Sequence, residues 1–193
     1  MAERLIICGI AGSLREGSYN RSLLRAAAEV APPALEIRVF DGMADIPPFN
    51  QDVEAKGDPA GVSALKQAIR EADGLLIATP EYNHGVPGVL KNAVDWASRP
   101  ANDSVLAGKP TAILGASPGI TGTARAQSQL RQSFVFTGTP ALLKPEILVF
   151  KANEKFDDEG RLIHEKTREF LGRLLHELES WIRALSSGGW SRG

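Results

Sequence analysis

Gly12, Ser13, Arg15, Gly17, Ser18 and Asn20 crowd into one short stretch. Glycines admit close backbone approach, two hydroxyls and an amide can donate, and Arg15 brings a fixed positive charge. A helix starting directly after them adds its free N–H groups and the positive end of its dipole. The chemistry such a stretch performs is the cradling of a phosphate. It is not a Walker loop, because Gly17 is followed by Ser18 and Tyr19 instead of Lys and Ser/Thr. It is not a dinucleotide fingerprint either, because Ala11 stands where a glycine is required, and Asp41 as a ribose-binding acid has little support without those glycines. A second stretch, Gly115-Ala116-Ser117-Pro118-Gly119, matches the nucleophile elbow Gly-x-Ser-x-Gly. Asp157 or Asp158, then His164 or His176, even supply the order Ser, Asp, His. A serine hydrolase is therefore a rival reading. Pro118 weakens it: the elbow takes its oxyanion donor from the residue after the nucleophile, proline has no N–H, and losing one such donor costs about 10²–10³ in rate. The third stretch, residues 79–96, holds Glu81 and Asp95, whose spacing makes no acid–base pair.

These stretches need elements that bring them together. Residues 5–10 form an unbroken apolar run, the mark of a strand buried on both faces. A helix over 20–31 follows, with Leu23, Leu24, Ala27 and Ala28 at helical spacing and Pro32-Pro33 as its stop. Further strands are expected at 35–40, 74–79 and 111–115 and within 142–150. Helices are expected at 59–72, at 86–97 with Pro87 in the first turn, at 124–136 and at 166–185. Residues 41–58 read as a long loop, and the Ser/Gly-rich tail 186–193 as frayed. Strand and helix alternate five times, which defines an α/β doubly wound sheet, parallel because each crossover is a helix. Five strands fit a flavodoxin-like three-layer sandwich whose five-stranded parallel sheet has the order 2-1-3-4-5, in one domain over 1–185. Ligands of such sheets sit beyond the carboxyl ends of the strands, so the three stretches are the loops after strands one, three and four.

Composition narrows the classes. The chain has 193 residues, 43% hydrophobic, with 22 basic and 23 acidic side chains for a net charge of −1. That balance argues against nucleic-acid and polybasic membrane binding, and against the strongly acidic surface of a flavodoxin-like electron carrier. A flavin-free binding module would leave the phosphate stretch without a purpose. The single cysteine, Cys8, excludes a disulfide framework, is expected buried, and fits a reducing, cytoplasmic setting. The first ten residues hold too short an apolar run for a signal peptide or a membrane span. Three scattered histidines make no metal site.

With the loops placed, the chain resembles the NADPH-dependent FMN reductase family, which includes chromate, quinone and azo-dye reductases. The resemblance rests on Gly-Ser-x-Arg-x-x-Ser-x-Asn at 12–20 and Pro-Glu-Tyr-Asn at 80–83. It continues through Pro-Gly-Val-Leu-Lys-Asn-Ala-x-Asp-Trp at 87–96 and, more weakly, Ser117-Pro118-Gly119 leading into Gly122-Thr123-Ala124-Arg125. It covers residues 4–185. It implies that Ser13, Arg15, Ser18 and Asn20 hold the phosphate of FMN. Pro80, Glu81, Tyr82 and Asn83 would line the isoalloxazine ring, largely through backbone N–H groups, and Ser117 and Gly119 would border the ring or its ribityl chain. His84 has a lesser role, and Trp96 is a packing residue. The implied reaction is ping-pong: NADPH or NADH passes a hydride to flavin N5, leaves, and a quinone, azo compound, free flavin or chromate takes its place. No protein side chain need act as a catalytic acid or base, because the flavin carries the chemistry. The resemblance also implies a homodimer or homotetramer. The helix at 86–97 carries apolar residues around much of its circumference, a surplus an interface would bury, and Phe49 reads as exposed and able to cover a neighbour's site. Arg125, with Glu146, is the candidate polar contact of a second interface.

Overall fold

Five apolar runs become five parallel strands in the computed structural model, which describes residues 4–188. They are β1 (Leu5–Ala11), β2 (Leu35–Phe40), β3 (Gly74–Ala78), β4 (Thr111–Ala116) and β5 (Ile147–Val149). Their order is β2-β1-β3-β4-β5, the order expected from the alternation of elements. Ile10 pairs with Phe40 and with Ile77, Ala78 with Leu114, and Gly115 with Leu148, so the carboxyl ends fall along one edge.

Six helices flank the sheet: α1 (Tyr19–Val30), α2 (Gln51–Glu54), α3 (Ala60–Glu71), α4 (Gly88–Ala97), α5 (Ala124–Thr137) and α6 (Glu165–Ser187). Alternation along each strand sends neighbours to opposite faces. Leu76 packs with Leu23, Leu24, Leu171 and Leu175 under α1 and α6. Its neighbours Leu75 and Ile77 pack with Val62, Leu65, Trp96 and Phe134 under α3, α4 and α5. The result is three layers with two cores. Cys8 lies in the second, and burial pushes its thiol up to about 12 against a smaller pull from Lys109, so it is an inert apolar residue. Among the described residues, no helix is long and apolar enough to cross a membrane, and no group of metal-ligating side chains gathers.

Several expectations change. The loop expected at 41–58 contains a 3-10 turn (Gly42–Asp45) and the single turn of α2, capped by Asn50, whose Oδ1 accepts from the Asp52 N–H at 2.8 Å. Helix α4 starts at Gly88, so Pro87 is its cap, with its carbonyl accepting from Leu90 and Lys91. Strand β5 keeps only three of the nine residues expected to hold it. Leu142 bonds to Thr111, but Pro145 has no N–H for the ladder, and pairing resumes only at Ile147. Helix α6 runs two residues into the expected tail, and 189–193 lie outside the described residues. Most of the apolar surplus of the fourth helix is taken up by its own chain: Leu90, Ala93, Val94 and Trp96 are buried, and Val86 and Val89 are half-buried. Phe49 is likewise held within the chain, edge-on to Trp96 with ring centroids 5.0 Å apart. The cause is the buried indole, whose N–H needs an acceptor and finds the Pro47 carbonyl at 2.8 Å. Asn92 completes the stitch, donating to Pro47 and accepting from the Phe49 N–H.

On α3 the apolar stripe contains one charge. Lys66 is 1% exposed, and both carboxylate oxygens of Asp58 hold its ammonium, at 2.6 and 2.7 Å. Removing one partner of a buried pair strands the other. Asp58→Ala is expected to destabilise the fold by about 2–3 kcal/mol in urea unfolding, the low side of the range for buried pairs because the carboxylate keeps some solvent. Lys66→Met is expected to cost less, because Asp58 can return to water while methionine fills the stripe. Equal losses would place the energy in packing instead of charge.

Candidate functional site

The first loop leaves β1 at Gly12, whose N–H donates to the Ala78 carbonyl at 2.8 Å. A Cβ on Gly12 would stand 3.0 Å from Leu90 and 3.2 Å from Pro80, so glycine lets this loop lie against the loop after β3. Ser18 is buried and caps α1: its Oγ accepts from the N–H groups of Asn20 at 3.3 Å and Arg21 at 3.4 Å. Ser13 is also buried, and its Oγ accepts from the Arg15 N–H at 3.4 Å. Both serines use only lone pairs in these bonds and keep their O–H hydrogens for a further acceptor. Arg15 is exposed. The N–H groups of Leu14, Glu16, Gly17 and Tyr19 meet no acceptor among the described residues. Unpaired N–H groups at the head of a helix beside a guanidinium form an anion cradle.

Asn20, expected as a phosphate donor, is tied to the third loop. Its Nδ2 donates to the Ala116 carbonyl and its Oδ1 accepts from the Ala116 N–H, both at 2.9 Å, with the residue 2% exposed. The amide is a peptide group in miniature, and it pairs both polar groups of a buried residue at the end of β4. Asn20 thus locks the first loop to the third.

The second loop is a tight hairpin. Tyr82 and Gly85 bridge through two backbone bonds of 3.2 and 3.0 Å. Asn83 and His84 at the tip have φ of 50° and 62°, the left-handed values such a turn demands. Tyr82 is 50% exposed, and Asn83 and His84 stand out beside it. The N–H groups of Glu81, Asn83 and His84 meet no acceptor among the described residues. The Glu81 carboxylate turns away from the tip into the start of α5. There it accepts from the N–H of Arg125 at 2.9 Å, the N–H of Ala126 at 3.1 Å and the Thr121 hydroxyl at 3.2 Å, with the Arg125 guanidinium at 3.6 Å. Helix α5 needs this: its own cap residue, Thr123, is left-handed and makes no side-chain cap. Burial by itself would raise the Glu81 carboxyl, but the bonds from Ala126, Thr121 and Arg125 and the Arg125 charge outweigh it and hold the group below its ordinary 4.5. Gln129, one turn along α5, adds a second tie, its Oε1 accepting from the Val86 N–H at 2.7 Å.

The third loop follows β4. A Cβ on Gly115 would collide with Thr123 Oγ1 and the Thr79 carbonyl, so only glycine fits there. Ser117 donates its N–H to Val149 at 2.9 Å and accepts from Ala152 at 3.0 Å. Its Oγ accepts from the Gly119 N–H at 3.1 Å. No hydrolytic triad forms. His164 Nδ1 engages Thr167 at the head of α6, Asp157 is held by Arg161 at 2.6 Å, His176 is exposed on α6, and Ser117 touches none of them.

Thr121 and Gln129 enter the site although nothing in the sequence singled them out. The sequence points the other way: Thr123 stands where a capping residue is expected, and only its left-handed backbone, φ 73°, takes its side chain out of that role. Arg125 is occupied with Glu81, and Glu146 with Lys144 at 3.0 Å.

Residues 6–154 match the family described as NADPH-dependent FMN reductase. An NAD(P)H-dependent FMN reductase of Pseudomonas aeruginosa is 48% identical over 185 residues, covering 96% of this chain and 99% of that protein. A quinone reductase of Pseudomonas putida is 40% identical over 183 residues, covering 95% and 97%. Among solved structures, the flavoenzyme NAD(P)H:(acceptor) oxidoreductase FerB of Paracoccus denitrificans superposes with a TM-score of 0.84 at 35% identity, covering 93% and 97%.

Two expectations follow from the ties between loops. Asn20→Ala leaves two buried groups of Ala116 unpaired and is expected to cost about 2–4 kcal/mol in urea unfolding; a loss within error of zero would remove the lock. Glu81 has its folded pKa below the unfolded one, so its stabilisation is complete above about 4.5 and is lost as pH falls through the folded value. Glu81→Gln is expected to lower the melting temperature at pH 7 and to flatten its decline between about pH 4.5 and 3. An unchanged slope in calorimetry would deny Glu81 that role.

Proposed function

The chain belongs to the NADPH-dependent FMN reductase family, and we propose from this that it holds one FMN per chain across the three loops and reduces quinones at the expense of NAD(P)H. The observation that carries the reading is the set of N–H groups of Leu14, Glu16, Gly17 and Tyr19, unpaired among the described residues, next to Arg15 and to two hydroxyls with hydrogens to spare. Ser13, Arg15 and Ser18 hold the phosphate, and Asn20 keeps their loop in place from behind. Pro80, Glu81, Tyr82 and Asn83 line the ring, with Ser117 and Gly119 at its border. FMN supplies the hydride chemistry, accepting from the nicotinamide and donating to the second substrate. The protein contributes placement and charge. The N–H groups of Glu81, Asn83 and His84 are the donors available to a ring edge that gains negative charge, and the Glu81 and Gln129 ties keep them fixed. A fixed donor needs no reorganisation when charge develops, which is where such sites gain most.

Finer features belong to the same proposal. NADPH is the preferred donor, and azo compounds, free flavin and chromate join quinones as acceptors, because an exposed ring face selects weakly among flat or small oxidants. The protein works in the cytoplasm, where its lone buried thiol needs no protection. It assembles as a homodimer or homotetramer. The support for assembly comes from Val135, Phe136 and Leu143, which are 85%, 84% and 71% exposed, and not from α4.

Purified protein is expected to carry a flavin absorbance band that bleaches on anaerobic addition of NADPH. A colourless protein that does not bind added FMN would overturn the reading. Arg15→Ala with Ser18→Ala is expected to weaken FMN binding at least tenfold, since a hydrogen bond to a charged group is worth about 1.5–3 kcal/mol. Steady-state lines for NADPH and quinone are expected to be parallel, and intersecting lines would replace alternation in one slot with a ternary complex. Light scattering at micromolar concentration is expected to give two or four chains; a single-chain mass with normal turnover would remove the assembly and leave the chemistry.

A further inference from the structure

A groove of about 540 Å³ runs along the outer side of β5, between that edge strand and the first turns of α6. Its volume is that of a small-molecule site. Phe150 and Phe170 stand in its walls, 47% and 37% exposed, and Lys144, Lys155, Lys166 and His164 bring basic groups to it. Glu146 also lines the groove, but its carboxylate is paired with Lys144 at 3.0 Å. His164 is engaged with Thr167 through Nδ1. None of these side chains belongs to the three loops at the carboxyl edge of the sheet.

Lys155 is the member whose surroundings are incomplete. The residue is only 9% exposed, yet no carboxylate, carbonyl or hydroxyl among the described residues takes a hydrogen from its ammonium. The neighbouring Glu154 is paired with Lys151 at 3.4 Å. The ammonium instead lies 3.7 Å from the centroid of the Phe150 ring. Burial draws its pKa below the ordinary 10.5, against a smaller upward pull from Glu154. A cation that lines a groove with no counter-ion there is completed by an anion entering that groove. The rest of the lining says what kind of anion. Two aromatic rings ask for a flat apolar body. A single ammonium without a counter-ion suits one singly charged group, and the lining holds no arginine to fork a phosphate.

We propose that this groove is a second ligand site, for a flat aromatic carboxylate whose charged group meets Lys155 and whose ring lies among Phe150 and Phe170. The ligand would bind without reacting, because nothing in the groove transfers electrons or groups to it.

The test is calorimetric titration of the FMN-loaded, full-length protein with 2-naphthoate. One ligand per chain is expected, with 2-naphthamide binding at least tenfold more weakly. Lys155→Met is expected to weaken naphthoate at least tenfold and leave the amide unchanged, whereas Phe170→Ala weakens both. Saturating NADP+ is expected to leave the titration unaltered. Absence of binding at millimolar naphthoate, equal affinity for acid and amide, full affinity in Lys155→Met, or displacement by NADP+ would each overturn the proposal. Should Lys155→Met fail to fold, the acid–amide comparison on the unaltered protein and the Phe170→Ala titration decide the question.

Discussion

Parallel strands all finish at the same edge of a sheet, and that edge is where backbone polar groups run out of partners. The architecture of this chain is shaped by that constraint. The ladders of β1, β3 and β4 end almost level, so three loops emerge together with their N–H and C=O groups unmatched. Some of these groups are matched by side chains that reach from one loop to the next. Asn20 serves Ala116, Glu81 serves the head of α5, and Gln129 serves Val86. The remainder, the N–H groups of Leu14, Glu16, Gly17, Tyr19, Glu81, Asn83 and His84, stays unmatched among the described residues. The site consists of those leftover donors, and the matched ones give it its shape.

The division explains why a buried carboxylate is tolerable beside a loop of unmatched N–H donors. Glu81 is spent: its oxygens are covered by two backbone N–H groups, a hydroxyl and a guanidinium. Its charge is balanced locally by the helix end it caps, while the N–H groups of its own loop remain directed elsewhere. A neutral cap would satisfy fewer donors and leave Arg125 without its partner.

The layers and strand order were legible in the sequence because parallel strands and amphipathic helices alternate with different periods. Strand β5 was legible only as a region, since Pro145 breaks a ladder whose apolar pattern continues past it. The first loop was legible as a composition, but the bonds of its members were not. Asn20 and Ser18 look alike in a motif, yet one faces the loop and the other binds a strand ninety-six positions away. Glu81 was legible as part of a motif and illegible as a cap, because its partner helix begins more than forty residues later. Phe49 looked like a surface aromatic, and the buried indole that claims its loop could not be seen from spacing. Lys66 sits in an apolar stripe that gives no hint of the charge buried there, since Asp58 lies in another segment. Local pattern reports what a residue can bury; it is silent on bonds between distant loops.

The amide of Asn20 also sets an order of events during synthesis. Its two bonds reach a residue ninety-six positions downstream, so an emerging chain that has completed β1, α1, β2 and β3 still lacks this brace on its first loop. Contacts of such long sequence separation close late. The anion cradle therefore matures only once β4 has docked, and a truncated or misregistered chain presents it in a loosened form. A ligand that binds only the assembled edge stabilises the folded sheet by mass action, and the brace from Asn20 to Ala116 is part of what it would hold.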